Sequence, residues 1–263
     1  MKKYFVIGNP IEHSLSPKLH NYWIKKNDIK AIYEKKKLNL KQLKEIILTV
    51  KNKEIHGINV TVPFKKEVIR YLDTLTPEAE ITQSVNTINL VGNQIQGHNT
   101  DIAGFTLSLR EINVNIVNKK ILVLGAGGVV PSIIYALNQM KASSICVSNR
   151  TKNKAEDLKK LFNNITVINW GEVPDFDVII NATSLGLNDT DDIGLDFSKV
   201  KNKLFYDVIY NPQETNFLKK AKYFGNKTVN GKMMFIYQAS ASFNLWHKTQ
   251  PEINKEVIAL LDK

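Results

Sequence analysis

Ile121-Leu122-Val123-Leu124-Gly125-Ala126-Gly127-Gly128 decides the fold of this chain. Four apolar residues run directly into a glycine-rich turn, and a helical pattern opens behind it. A short buried strand that ends on glycines and feeds a helix is the first unit of a doubly wound dinucleotide-binding sheet. Glycine lets the backbone turn sharply and approach a pyrophosphate, whose charge meets the free amides of the helix N-terminus. The third glycine of the usual pattern is Val130 here, so a tight turn needed for backbone reasons alone is the competing reading. Pro131 is compatible with a first helical turn.

The next strand, 143–148, ends in Ser148-Asn149-Arg150-Thr151, with Lys154 close behind. Folds that prefer NAD place an acid there to hold the ribose hydroxyls. No acid is present, and Arg150, one of only three arginines with Arg70 and Arg110, stands where a 2′-phosphate would lie. Charge-assisted hydrogen bonds of roughly 1.5–3 kcal/mol give about a ten- to hundredfold preference for NADP over NAD. Further elements follow in the order this fold requires: helix 128–140 between the first two strands, then helix 152–162 and strands 165–168, 177–181 and 203–208.

Upstream, strands are predicted near 4–8, 31–35, 57–62 and 86–91, with helices near 17–27, 40–51 and 64–72. A polar hairpin, Val91-Gly92-Asn93-Gln94, follows, and Asp101 begins a helix to about Asn113. Downstream, Met233 to Trp246 is an amphipathic segment, and a last helix is predicted to open at Pro251. The expected fold is α/β in two domains. One is a substrate domain of residues 1–101 plus 238–263, with a mixed, mostly parallel sheet, and the other a Rossmann-type NADP domain of residues 102–237.

Two segments of the first domain are built to aim side chains. Gly57-Ile58-Asn59-Val60-Thr61-Val62-Pro63-Phe64-Lys65 reads as a strand that stops at Pro63 and leaves Lys65 on a strand-to-helix corner. Gly97-His98-Asn99-Thr100-Asp101 does the same at the end of a second strand. Opposite charges at one rim, with Asn59, Thr61 and Asn86 beside them, suit proton handling on a small hydroxylated substrate. In a chain so rich in lysine, Lys65 alone also reads as solvated surface.

The formal charge of +11 on 263 residues comes from lysines spread from Lys2 to Lys263, without an arginine-rich block. That distribution argues against nucleic acid and favours anionic small molecules. The lone Cys146, in the apolar run Ile145-Cys146-Val147, excludes an internal disulfide and points to a reducing cytoplasm and an inert thiol. No signal peptide, membrane span or metal-ligand spacing is evident, so no metal, membrane or nucleic-acid partner is expected.

Taken in order, these pieces resemble the NADP-dependent shikimate dehydrogenase family of aromatic amino-acid biosynthesis. The resemblance runs from Gly8-Asn9-Pro10 and His13-Ser14-Leu15-Ser16-Pro17 through Asn59 to Lys65, Val85-Asn86-Thr87 and Asn99-Thr100-Asp101. It continues through the glycine turn, Asn149-Arg150-Thr151, Asn181-Ala182-Thr183-Ser184, Tyr206-Asp207, Tyr210 and Gln238-Ala239. It implies that Lys65 and Asp101 are the catalytic pair for reversible reduction of 3-dehydroshikimate to shikimate. Ser14 and Ser16 would hold the substrate carboxylate, with Ser16 also capping a helix whose first residue is Pro17. Tyr210 would add a contact at that end, and Asn59, Thr61, Asn86 and Gln238 would bind ring hydroxyls. NADP would lie on Gly125, Ala126, Gly127, Gly128 and Val129, on Asn149, Arg150, Thr151 and Lys154, and on Thr183, Ser184, Val208, Gly231 and Met234. Pro131, Leu187 and Lys232-Met233 depart from the family pattern on the cofactor side. The nearest rival is a quinate/shikimate dehydrogenase with NAD or dual cofactor use. A folate-type two-domain dehydrogenase and a silent dinucleotide-binding regulator are more distant, and a homodimer is compatible with the chain.

Overall fold

Apolar runs bounded by glycine, proline and asparagine set the strands, and periodic segments between them set the helices. The computed structural model describes residues 1–262 and divides into two units, Met1–Gly104 with the segment from Ile236 onward, and Phe105–Phe235.

The first unit contains β1 (Lys2–Gly8), α1 (Ser16–Lys26), β2 (Ala31–Lys37), α2 (Leu43–Lys51), β3 (Gly57–Val60), β4 (Thr74–Leu75), α3 (Pro77–Thr82), β5 (Thr87–Val91) and β6 (Gln94–His98). The sheet order is β2-β1-β3-β5-β6-β4. β1 pairs in parallel with β2 and β3, whereas β5 runs antiparallel to both β3 and β6. One core gathers Ile7, Ile58, Val60 and Phe64 with Leu43, Ile46, Ile47 and Val50 of α2. Each such side chain stabilises by roughly 1.5–3 kcal/mol on leaving water.

The second unit is a six-stranded, wholly parallel sheet: β7 (Lys120–Leu124), β8 (Ser144–Ser148), β9 (Ile165–Ile168), β10 (Val178–Asn181), β11 (Leu204–Asp207) and β12 (Lys227–Val229). Its order, β12-β11-β10-β7-β8-β9, is the doubly wound order, with the chain reversing direction of travel between β7 and β10. Crossovers run through α5 (Val130–Gln139), α6 (Lys152–Leu158) and α7 (Asn216–Tyr223). Two helices cross the unit boundary in sequence, α4 (Asp101–Glu111) and α8 (Lys232–His247), and α9 (Lys255–Leu260) closes the described chain.

Several local expectations are corrected. Ser16 does not cap α1: Leu15 occupies the cap position, Pro17 sits one residue further in, and the Ser14 hydroxyl accepts the Ser16 amide at 3.3 Å. Pro251 does not open α9, because Asn254 does so by accepting the Val257 amide at 3.1 Å. The helix expected over 64–72 is a 3₁₀ segment, Glu67–Tyr71, because the Lys65 carbonyl is committed to the Val85 amide. The helix expected over 40–51 starts as a 3₁₀ turn closed by an Asn39–Gln42 capping box. The helix expected over 152–162 ends at Leu158. The apolar periodicity does not reveal α3 and α7, whose caps are Thr76 and Thr215.

Candidate active site

In the first unit, β3 delivers Asn59, the corner after Pro63 delivers Lys65, and the junction after β6 delivers Asp101. Phe64 anchors that corner in the core at 1% exposure, and its neighbour Lys65 is itself 9% exposed. Asp101 is the first residue of α4, and its amide is held by the Asn99 side chain at 3.2 Å. Lys65 Nζ lies 2.5 Å from Asp101 Oδ2, and Asn86 Nδ2 donates to the other carboxylate oxygen at 3.0 Å. Both carboxylate oxygens thus have partners, as a buried ion pair requires to offset its desolvation.

Asn86 and Asn59 are oriented by main-chain atoms. The Thr100 amide can only donate, and it meets Asn86 Oδ1 at 2.7 Å, so the Asn86 amino group must turn toward Asp101. The Asn86 carbonyl can only accept, and it meets Asn59 Nδ2 at 3.1 Å, so the Asn59 oxygen must face the other way. There the Tyr33 phenol donates to Asn59 Oδ1 at 2.7 Å. Burial pushes that phenol well above its ordinary pKa and keeps it a neutral donor, with the Ser16 hydroxyl nearby opposing the rise. Asn59 Nδ2 also reaches Thr87 Oγ1 and Ser242 Oγ, each at 3.0 Å. Gln238, on α8, receives Asn86 Nδ2 at 3.4 Å. The strand expected over 57–62 ends at Val60, and Thr61, just beyond it, is partly buried with its amide on the Ile7 carbonyl.

The structure therefore joins Asn59, Lys65, Asn86, Asp101 and Gln238 in one polar cluster. Ser14 and Ser16 sit together at the start of α1, linked toward it through Tyr33. The sequence motifs assign no role to Tyr33 or Ser242 and include Thr87 and Thr100 only as neighbours. The signal available for Ser242 is a polar residue set among apolar ones, between Ala241 and Phe243 in α8; Tyr33, followed in β2 by Glu34 and three lysines, offers no such signal.

In the second unit Gly125 and Gly127, two of the three turn glycines, differ. Gly125 has φ +115°, and a Cβ there would lie 2.7 Å from the Ala182 carbonyl oxygen. Gly127 faces open space, with nothing within 4 Å of a Cβ. The first is needed by the protein itself, whereas the second leaves room for a ligand at the start of α5. Pro131 is buried in the first turn of α5, where its missing N–H costs the helix no hydrogen bond. Gly231 is forced by packing, since a Cβ would collide with the Val208 carbonyl.

Asn149 bonds the Thr151 carbonyl through Nδ2 at 2.7 Å, and Arg150, Thr151 and Lys154 are exposed after β8. Among the described residues the Arg150 guanidinium and Lys154 ammonium are in no ion pair, as is true of most cationic side chains of this surface. Thr183 bonds Asn181 Oδ1 at 2.7 Å through its hydroxyl, while Ser184 is exposed beside it. Met234 is buried, and the Tyr210 ring stacks on Phe235 at 4.4 Å. Asp207 is fully buried and is held by Asn181 Nδ2 at 3.1 Å, Thr215 Oγ1 at 2.7 Å and the Ile209 amide at 2.9 Å. Burial raises its carboxyl to about 6, against the lowering effect of those donors. In the loop after β10, Asp191 accepts the Gly186 and Asn188 amides, and Asp192 pairs with Lys220 of α7. Cys146 is partly buried, which raises its thiol pKa.

Two family models match the chain: a shikimate dehydrogenase substrate-binding domain over residues 6–88, and a shikimate/quinate 5-dehydrogenase domain over residues 107–188. An NADP(+) shikimate dehydrogenase of Pelagibacter ubique is 59% identical, with 100% of each chain covered. The crystal structure of shikimate dehydrogenase from Aquifex aeolicus superposes with a TM-score of 0.90 at 36% identity, covering 100% of this chain and 98% of that one. The enzyme of Thermus thermophilus in complex with NADP(H) and shikimate gives 0.90 at 28% identity, covering 100% and 99%. Sequence identity over the whole length, together with the order of the strands and the polar cluster around Lys65, makes this chain a member of the shikimate dehydrogenase family.

Proposed function

We propose that this chain catalyses the reversible, NADP-linked reduction of 3-dehydroshikimate to shikimate, a step of aromatic amino-acid biosynthesis. The observation that carries the reading is the buried contact of Lys65 Nζ with Asp101 Oδ2 at 2.5 Å, with Asn86 on the second oxygen. NADPH, when bound, supplies the hydride that reduces the keto carbon. Lys65 has two further N–H groups beyond the one given to Asp101, so it can hold the keto oxygen and pass it a proton as charge develops there. Asp101, whose oxygens are both engaged, orients Lys65. In the reverse direction, neutral Lys65 takes the hydroxyl proton.

Ser14 and Ser16 at the start of α1 hold the substrate carboxylate, where a helix N-terminus favours an anion. Tyr210 serves the same end of the substrate. Asn59, Thr61, Asn86 and Gln238 bind ring hydroxyls. Residues 1–104 and the segment from Ile236 form the substrate-binding unit, and residues 105–235 the dinucleotide-binding unit. There Gly125, Ala126, Gly127, Gly128 and Val129 hold the pyrophosphate, and Asn149, Arg150, Thr151 and Lys154 the 2′-phosphate side. Thr183, Ser184, Val208, Gly231 and Met234 take the nicotinamide end. The open face at Gly127 and the exposed Arg150 support this fit.

A cytoplasmic location fits the single thiol, and among the described residues no helix is long and apolar enough to cross a membrane. A homodimer is the proposed assembly, open to light scattering. The test of the function is NADP-linked oxidation of shikimate, followed at the reduced-nicotinamide absorbance band and compared with quinate and with NAD. Turnover with shikimate and NADP is expected to be fastest; no turnover of either acid with either cofactor overturns the reading.

A further inference from the structure

We infer that Ser242, seconded by Tyr33, is a positioning residue that fixes how the site reads a substrate hydroxyl. This inference rests on the function proposed above. Ser242 lies one turn beyond Gln238 on α8, is fully buried, and so cannot itself touch a ligand. It nevertheless meets four groups of the cluster: Asn59 Nδ2 at 3.0 Å, Thr87 Oγ1 at 2.8 Å, Thr100 Oγ1 at 3.2 Å and the Gln238 carbonyl at 3.0 Å.

The directions of these bonds follow from the fixed donors and acceptors. The Gln238 carbonyl takes the Ser242 hydroxyl hydrogen, so the Ser242 oxygen is left to accept from Asn59 and from a threonine. Tyr33 donates to the opposite end of the same amide at 2.7 Å. Asn59 therefore has both amino hydrogens committed inside the protein and one oxygen lone pair engaged. What it can offer a substrate is its remaining lone pair, so it accepts from a ring hydroxyl and never donates to one. Ser242 and Tyr33 hold that lone pair in place from opposite ends of the amide.

The experiment compares wild type, Ser242→Ala and Tyr33→Phe in steady state, with shikimate and with analogues each lacking one ring hydroxyl. In Ser242→Ala, KM for shikimate is expected to rise about tenfold, the size of one lost hydrogen bond. KM for NADP should stay within about twofold, a split that a general loss of stability would not produce. For the analogue lacking the hydroxyl that Asn59 reads, the penalty should vanish. Tyr33→Phe should act in the same sense and keeps the ring that stacks on His20 at 4.2 Å. Should Ser242→Ala fail to fold, Ser242→Cys, which fills the same space and weakens the same hydrogen bonds, carries the test, because Tyr33→Phe also removes a partner of Ser16. An unchanged KM for shikimate in the folded variant, or an equal penalty on every deoxy analogue, overturns the inference. Absence of shikimate oxidation in the wild type would instead sink the function on which it rests.

Discussion

Asp101 and Asp207 are both buried carboxylates at the ends of sheet segments, yet they are accommodated in opposite ways. Asp101 is matched by a cation, Lys65 at 2.5 Å, on the corner after Pro63. Asp207 has no cation among the described residues: an amide, a hydroxyl and a backbone N–H hold it, and burial lifts its carboxyl to about 6. Its donors tie the end of β11 to β10 and to Thr215, the cap of α7. A charge paired with a charge leaves spare donors on lysine for chemistry, whereas a charge buried among neutral donors fastens loops. The first site should fail in rate and the second in stability.

The widest separation is expected from Lys65→Ala, which should lower turnover by about 10²–10⁴ with a modest change in shikimate affinity. Turnover near normal, measured well below the unfolding midpoint, removes Lys65 from the chemistry. Asp207→Ala should do the converse. Losing the common acceptor of three buried donors should cost about 2–4 kcal/mol in urea unfolding, with activity per folded molecule nearly unchanged. A variant as stable as wild type contradicts a fastening role.

pH sharpens the contrast. The folded Asp207 carboxyl, at about 6, lies above its ordinary 3.8, so its contribution to stability is complete below pH 3.8 and is lost as the pH rises through 6. That swing is at most about 3 kcal/mol. His20 and His247 run the other way, because burial lowers them to about 3 and about 4 from 6.5. Their contribution is present above pH 6.5 and is lost as the pH falls through those values. Unfolding curves between pH 7.5 and 4.5 should therefore fall more steeply in Asp207→Asn than in wild type, and parallel curves would rule out this titration. The smallest effect belongs to exposed Arg150: Arg150→Ala should raise KM for NADP about ten- to hundredfold and leave KM for NAD alone. Equal changes for both cofactors would break the assignment.

The strand–glycine–helix order of the second unit is legible because parallel strands buried on both faces read as continuous apolar runs, as in Ile121 to Leu124. Short helices are harder. α3 and α7 have only six and eight residues, and their threonine caps are the clearer sign. At Pro251 the proline signal misleads because Asn254 supplies the cap, and at Ser16 a proline one position deeper misplaces the helix start. Lys65 and Asp101 can be brought toward one rim from strand ends alone. Tyr33, Thr87, Thr100 and Ser242 cannot be linked to them, because their meeting depends on β2, β5 and α8 packing together, which no local pattern encodes.

The backbone N–H of Thr100 and the carbonyl of Asn86 carry a consequence for redesign. Peptide groups cannot be exchanged by changing a codon, so as long as residues 59 and 86 are amides, the end that each turns toward its neighbours is set by the main chain of the β5–β6 hairpin and survives changes elsewhere in the cluster.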